Sequence, residues 1–363
     1  MLTFRQGDCR DILRTMPDQS VHCCVTSPPY FGLRDYGIDG QIGLETTPDA
    51  FVAEMVAVFR EVRRVLRDDG TLWLNLGDSY ATQGGRGEAS MAERGNPSVG
   101  ARTVAAARGS ASGTKMFAGI KPKDLIGIPW RVAFALQADG WYLRQDIIWS
   151  KPNPMPESVT DRCTKAHEYI FLLSKNARYF YDAEAIAEPA SYDPEKTKFP
   201  DGWDTGPGGH GSFHRNGREK GRASGNKIHK AVTEYERSES EEHRTKAVGR
   251  QGANANSSLQ MSGKGGFVVE KRNKRSVWEV TTQPFREAHF ATFPTALIEP
   301  CIKAGCSIGG TVLDPFAGAG TTGMVADRLQ RNALLIELNP AYAAMMDRRI
   351  RDDAGMFAEV RSC

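Results

Sequence analysis

Two short stretches carry the residue types that chemistry needs. The first is Thr26–Ser27–Pro28–Pro29–Tyr30. Its two prolines fix their own φ angles and push Ser27 into an extended conformation. The result is a stiff loop offering the Ser27 hydroxyl, the Ser27 and Pro28 carbonyls, and a flat aromatic face at Tyr30. Such a loop suits a planar base whose amino group must be aimed at an electrophile. The second stretch is Asp314–Pro315–Phe316–Ala317–Gly318–Ala319–Gly320–Thr321–Thr322. Gly318 and Gly320 allow a sharp turn and a close backbone approach to a ligand, because a Cβ there would collide. Glu337 lies 23 residues after Asp314. It ends the next strand, where a carboxylate can accept hydrogen bonds from both ribose hydroxyls. The loop is not a P-loop, because no Gly-Lys-Ser/Thr follows, and Asp314–Pro315–Phe316 departs from the hydride-transfer pattern.

These residues need a scaffold, and periodicity predicts one. The apolar run 21–26 reads as a buried strand ending at the proline pair. Phe51, Met55, Val58, Phe59, Val62, Val65 and Leu66 recur at helical spacing over 48–67. Asp68–Asp69–Gly70 is expected to stop that helix, with a strand over 71–76. Helix then strand recurs over 125–149. Residues 168–173 predict a further strand, paired as a hairpin with 178–182. The last unit runs from a strand at 311–316 through the Gly-rich turn and a helix to a strand at 332–338. Strands alternating with helices predict an α/β fold with a mostly parallel sheet and helices on both faces. Cys23 and Cys24 read as buried strand residues, and Pro300–Cys301 as part of an apolar helical core.

Composition excludes several classes. No run approaches the ~20 apolar residues of a membrane span, and the start lacks a signal peptide's apolar core, so the expected location is cytoplasmic. Seven Cys without a framework pattern predict reduced thiols. Cys301 and Cys306 have the wrong spacing for a zinc knuckle, and no metal site is expected. The net charge of +3 names no partner by itself. Residues 190–275, however, hold 17 Lys and Arg against 11 Asp and Glu, a local excess suited to phosphates. That segment and 81–120 are polar and aperiodic, and both are expected to be mobile insertions with functional rather than packing roles.

Together the two stretches resemble the amino-group DNA methyltransferases, whose signatures are a (D/N/S)-P-P-(Y/F/W) catalytic loop and an F-x-G-x-G cofactor loop. Here they stand as Ser27–Pro28–Pro29–Tyr30 and Phe316–Ala317–Gly318–Ala319–Gly320. The catalytic loop comes first and the cofactor loop last, which resembles the β group, a circularly permuted form of the Rossmann-like S-adenosylmethionine-dependent methyltransferase fold. Gly7–Asp8–Cys9 resembles the family's N-terminal Gly-Asp, whose Asp contacts the cofactor's adenine. His289 to Pro294, with Thr292 and Phe293, resembles the segment along the cofactor's methionine part. Ile148–Trp149 with Lys151, and Arg178–Tyr179–Phe180, resemble segments behind the catalytic pocket.

The resemblance implies S-adenosyl-L-methionine as cofactor and double-stranded DNA as substrate. It implies base flipping onto Tyr30 and direct in-line transfer, with Ser27, Pro28, Pro29 and Tyr30 catalytic. Asp8, Thr26, Thr292, Phe293, Pro294, Asp314, Phe316, Gly318, Gly320, Thr321, Thr322 and Glu337 would bind the cofactor. Ser before Pro-Pro is typical of N4-cytosine members, so cytosine is preferred and N6 of adenine stays the alternative. The implied division is a catalytic half at 1–189, a target-recognition insertion at 190–275 and a cofactor half at 276–363. A bacterial or phage origin, a cognate restriction endonuclease and a monomer or homodimer complete the expectation. Competing readings are an RNA or protein-glutamine methyltransferase and a catalytically inactive DNA-binding protein of the same fold.

Overall fold

The computed structural model describes residues 1–81, 120–190, 259–261, 267–269, 271–283, 292–354 and 360–362. The expectations for the insertions 81–120 and 190–275 lie largely outside the described residues, as do His289, Phe290 and Ala291. The chain forms two compact units, one of Met1–Ala185 with Arg275–Cys363 and one of Ile186–Lys274.

The first unit runs β1 (Leu2–Gln6), α1 (Cys9–Thr15), β2 (Val21–Thr26), α2 (Pro48–Val65), β3 (Leu66–Leu76), α3 (Ile128–Ala138), β4 (Tyr142–Ser150) and β5 (His167–Ser174). In the second unit β6 (Glu188–Pro189) pairs with β9 (Lys271–Arg272), and β7 (Leu259–Met261) with β8 (Phe267–Val269). The first unit then resumes with β10 (Val277–Glu279), α4 (Thr295–Gly305), β11 (Thr311–Asp314), α5 (Thr321–Arg328), β12 (Asn332–Glu337), α6 (Pro340–Ala354) and β13 (Val360–Ser362). Its sheet has nine strands in the order β10-β4-β5-β3-β2-β11-β12-β1-β13. All pairs are parallel except those of β5, which runs antiparallel to both β3 and β4.

Alternation along the strands sorts the core into two layers. On α2, Thr47 caps the first turn by accepting from Ala50 N at 3.1 Å, and Pro48 opens the helix. The stripe Phe51, Met55, Val58, Phe59, Val62 and Val65 is fully buried, and it shares a cluster with Leu72, Leu74 and Leu76 of β3. The intervening Thr71 and Trp73 point to the other face, where α4 packs so closely that a Cβ on Gly305 would lie 2.5 Å from Trp73 Nε1. Helices therefore cover both faces. Cys23, Cys24 and Cys301 are buried in these layers. Among the described residues no helix is long and apolar enough to cross a membrane.

Two expectations are corrected. β3 starts at Leu66 rather than 71, because Asp68–Asp69–Gly70 forms an irregularity inside the strand, matched by a register shift between Val21 and Cys23. Gly70 is required there, since a Cβ would approach Arg67 O at 2.9 Å and His22 O at 3.1 Å. Residues 178–182 form no strand and no hairpin with β5. Both edges of β5 are already hydrogen-bonded, to β3 and to β4, so no edge is left to accept a further strand.

The sheet order creates a crevice. From β2 the chain crosses through α2 to β3 on one side, while from β11 it crosses through α5 to β12 on the other. β2 and β11 are neighbours, and the chain direction diverges at their carboxyl ends, the place where open α/β sheets bind ligands.

Candidate active site

A cavity of about 800 Å³ opens at that crevice. The loop after β2 contributes Ser27, Pro28, Pro29 and Tyr30 to its wall. The loop after β11 contributes Phe316 and Gly318, and the first residue of α5 contributes Thr321. Asp8 enters from the start of α1, Glu337 from the end of β12, and Thr292 and Phe293 from the segment before α4. Residues from opposite ends of the chain thus meet in one space because two adjacent strands end there.

The remaining expected positions stand behind the wall. Asp314 is 1% exposed and does not face the cavity. Its carboxylate accepts from the Thr26 hydroxyl at 2.6 Å, from the Thr322 hydroxyl at 2.6 Å and from Phe316 N at 3.1 Å. Burial pushes its pKa up to about 6, against the pull of these three hydrogen bonds. Thr26 and Thr322 are consumed in this triad. Gly320 takes a left-handed φ of 79°, but the Cβ it avoids would strike Met346 Cγ at 2.6 Å rather than a ligand. Pro294 is buried at the start of α4.

Glu337 presents its carboxylate to the cavity from a fixed pose. Oε2 accepts from Gly318 N at 2.8 Å and Oε1 from Asn339 N at 2.8 Å. Burial raises its pKa above the usual carboxylate value, opposed by these amides. Each oxygen keeps lone-pair capacity toward the cavity, as a ribose diol would require. Gly318 belongs to this arrangement, with a φ of 51° that turns its N–H onto Glu337.

Asp8 is the N-cap of α1, accepting from Arg10 N at 2.8 Å. The Arg10 guanidinium also reaches it, Nη2 to Oδ2 at 2.6 Å, and bonds Glu54 at 3.0 Å and Gly40 O at 3.0 Å. Burial would raise the Asp8 pKa, but the Arg10 hydrogen bonds outweigh it and hold the carboxyl below its ordinary value.

A polar network backs the Ser27–Tyr30 loop. Tyr30 Oη donates to Glu168 Oε2 at 2.6 Å and lies 3.2 Å from Asn75 Oδ1. Asn75 Nδ2 donates to the same Glu168 oxygen at 3.2 Å, and Lys151 Nζ pairs with Oε1. Lys151 also sits over the Trp149 ring, 4.4 Å from its centroid. Burial, then the Glu168 charge, pushes the Tyr30 phenol well up, so it stays a neutral donor. The ring itself packs against Gly77, where a Cβ would come within 2.4 Å of Tyr30 Cε2. Ser27 Oγ is a long 3.5 Å from Tyr30 Oη, leaving the hydroxyl able to turn to a ligand.

Sequence reasoning passed over Arg10, Asn75, Gly77 and Glu168. The one signal available was chemical: Glu168 and Asn75 are polar residues inside otherwise apolar strand runs. Trp149 and Lys151 line the cavity. Arg178–Tyr179–Phe180, expected behind it, sits instead at the other end of the sheet, where Phe180 N donates to Asp69 O at 2.8 Å.

The DNA methylase family profile matches residues 21–348. The chain is similar to the type II methyltransferase M.Cfr9I of Citrobacter freundii, at 42% identity over 97% of this chain and 88% of that one. It is similar to M.SmaI of Serratia marcescens at 41% identity, over 95% of this chain and 89% of that one. Among solved structures, the fold is similar to the PvuII DNA methyltransferase (cytosine-N4-specific), with a TM-score of 0.54 at 15% identity, covering 100% of this chain and 94% of that one. It is also similar to a putative DNA modification methylase from Thermus thermophilus complexed with S-adenosyl-L-methionine, with a TM-score of 0.52 at 21% identity, covering 100% of both chains.

Proposed function

The chain belongs to the DNA methylase family that modifies amino groups of bases, and we propose that its target is N4 of cytosine in duplex DNA. The observation that supports cytosine is Ser27 itself. Its short hydroxyl lines the cavity with only a 3.5 Å contact to Tyr30. It can donate to the cytosine ring nitrogen while the Ser27 and Pro28 carbonyls accept the amino hydrogens. Adenine at N6 is the alternative.

The cofactor is S-adenosyl-L-methionine, which supplies the electrophilic methyl group. The residues present fit it. Glu337, fixed by two backbone amides and facing the cavity, would accept from the ribose hydroxyls. Asp8, Phe316, Gly318, Thr321, Thr292 and Phe293 would line its binding site. Thr26, Asp314 and Thr322 would act from behind by holding the two loops together.

The chain's own contribution to transfer is positioning. The flipped base stacks on Tyr30, whose ring is set by Gly77 and whose hydroxyl is tied to Glu168. No thiol takes part. Cys23 and Cys24 are buried, with pKa values pushed well up by desolvation, and burial pushes Cys9 up to about 12. Residues 190–275, with their Lys and Arg excess, would read the target sequence. The protein would act in the cytoplasm on double-stranded DNA, beside a cognate endonuclease, as a permuted β-group enzyme.

The test is to incubate the protein with mixed-sequence duplex DNA and methyl-labelled S-adenosylmethionine, digest to nucleosides and identify the labelled one by mass spectrometry. Label in N4-methylcytidine, lost in Ser27→Ala, supports the reading. Label in N6-methyladenosine overturns the choice of base.

A further inference from the structure

One apolar side chain bordering the cavity stands largely exposed. Met155 is 86% exposed, the most exposed of the large apolar side chains described, yet it borders the same cavity as Ser27 and Tyr30. It stands in the run Pro152–Asn153–Pro154–Met155–Pro156. Pro154 and Pro156 fix φ on either side, and Pro156 holds Met155 itself extended. The stalk is pinned at its base. Asn153 exchanges hydrogen bonds with the Thr282 backbone, Nδ2 to O at 3.3 Å and Oδ1 from N at 3.0 Å. Lys151 N donates to Ala166 O at 2.8 Å, and Arg162 pairs with Glu157 further along the loop. A pliant thioether is therefore held out on a fixed backbone beside the entrance.

A base entering this cavity leaves a gap in the duplex stack and an orphan partner. Apolar side chains inserted between base steps offset part of that lost stacking. We propose that Met155 is a positioning residue that enters the duplex where the flipped nucleotide has left. It holds the gap open and delays return of the base. The occupant beside this exposed side chain is thus DNA, the substrate of the family, since Met155 shares its cavity wall with Ser27 and Tyr30 on a backbone restrained by Pro154 and Pro156. The inference rests on the target base entering the cavity, whichever base that is.

The experiment compares wild type with Met155→Ala and Met155→Leu in single-turnover methyl transfer. The probe is a duplex oligonucleotide carrying the site found methylated in plasmid DNA of cells expressing the protein. It is made in two forms, with the target base-paired and with an abasic position opposite it. The expected result is a loss of about tenfold for Met155→Ala on the paired duplex, recovering to within about twofold of wild type on the abasic-partner duplex, where flipping costs less. Met155→Leu should behave as wild type on both, and cofactor affinity should be unchanged in either variant. An equal loss on both duplexes, or none on the paired one, overturns the proposal. So does a loss accompanied by a shift in sedimentation, which would assign Met155 to a contact between two copies of the chain. Product identification keeps the two readings apart: label on adenine sinks the cytosine choice and leaves the Met155 comparison in force.

Discussion

The Thr26 hydroxyl donates to the Asp314 carboxylate at 2.6 Å, joining residues 288 positions apart at the ends of adjacent strands. Thr26 immediately precedes the Ser27–Tyr30 loop, and Asp314 immediately precedes the Gly-rich loop. Thr322 donates to the other Asp314 oxygen at 2.6 Å from the first turn of α5. This buried triad fixes the spacing between the two loops that wall the cavity.

Thr26→Val should loosen that spacing. Asp314 would lose a donor inside the protein, at a cost of about 1–3 kcal/mol. Urea unfolding should show the loss, and titration calorimetry should show weaker S-adenosylmethionine binding. A variant with full stability and unchanged affinity would mean that the hydrogen bond is dispensable.

Asp314 should also leave a pH signature. Its carboxyl ionises near 3.8 when unfolded and near 6 when folded. Between those values the folded state keeps a proton that the unfolded state has released. Stability from this group is therefore fullest below pH 4 and falls as pH rises to about 6, by about 3 kcal/mol. Asp314→Asn should flatten this part of the stability curve. Its amide could donate to Thr322, whose hydroxyl could turn to Val25 O, already 3.4 Å away. Parallel wild-type and variant curves across that window would contradict the assignment.

Gly77→Ala should separate catalysis from cofactor binding. The new Cβ would sit 2.4 Å from Tyr30 Cε2, so the ring must move. Misplacement on that scale costs about 10²-fold in turnover. Cofactor affinity should hold, because Glu337 and the Gly318 amide are untouched. Single-turnover rates beside equilibrium binding provide the check, and equal losses in both would point to general unfolding.

Glu337→Gln should be costly although it conserves shape. Both oxygens accept from backbone N–H groups, so an amide nitrogen would face a donor on one side. S-adenosylmethionine affinity should weaken about 10- to 100-fold, as expected for losing hydrogen bonds to a charged acceptor. DNA affinity measured without cofactor should be unchanged, and its parallel loss would argue for a wider structural role.

The sequence by itself determined the parts that local chemistry dictates. Helix α2 was legible because its apolar stripe has one period, and β2, β11 and β12 because short apolar runs end at prolines, glycines or a carboxylate. The two loops were legible because Pro-Pro and Gly-x-Gly constrain the backbone wherever they occur. Only the tertiary structure decided which of those residues face the cavity. The motif assigns Asp314 and Gly320 to cofactor binding, but in the assembled sheet Asp314 turns onto Thr26 and Gly320 onto Met346. The supposed hairpin at 178–182 was lost for the same reason, since nothing local reveals that both edges of β5 are occupied. Glu168, Asn75 and Lys151 come together around Tyr30 only because β3, β5 and β4 lie side by side. Contacts between strands far apart in the chain leave no periodic trace, so their chemistry appears only once the sheet is assembled.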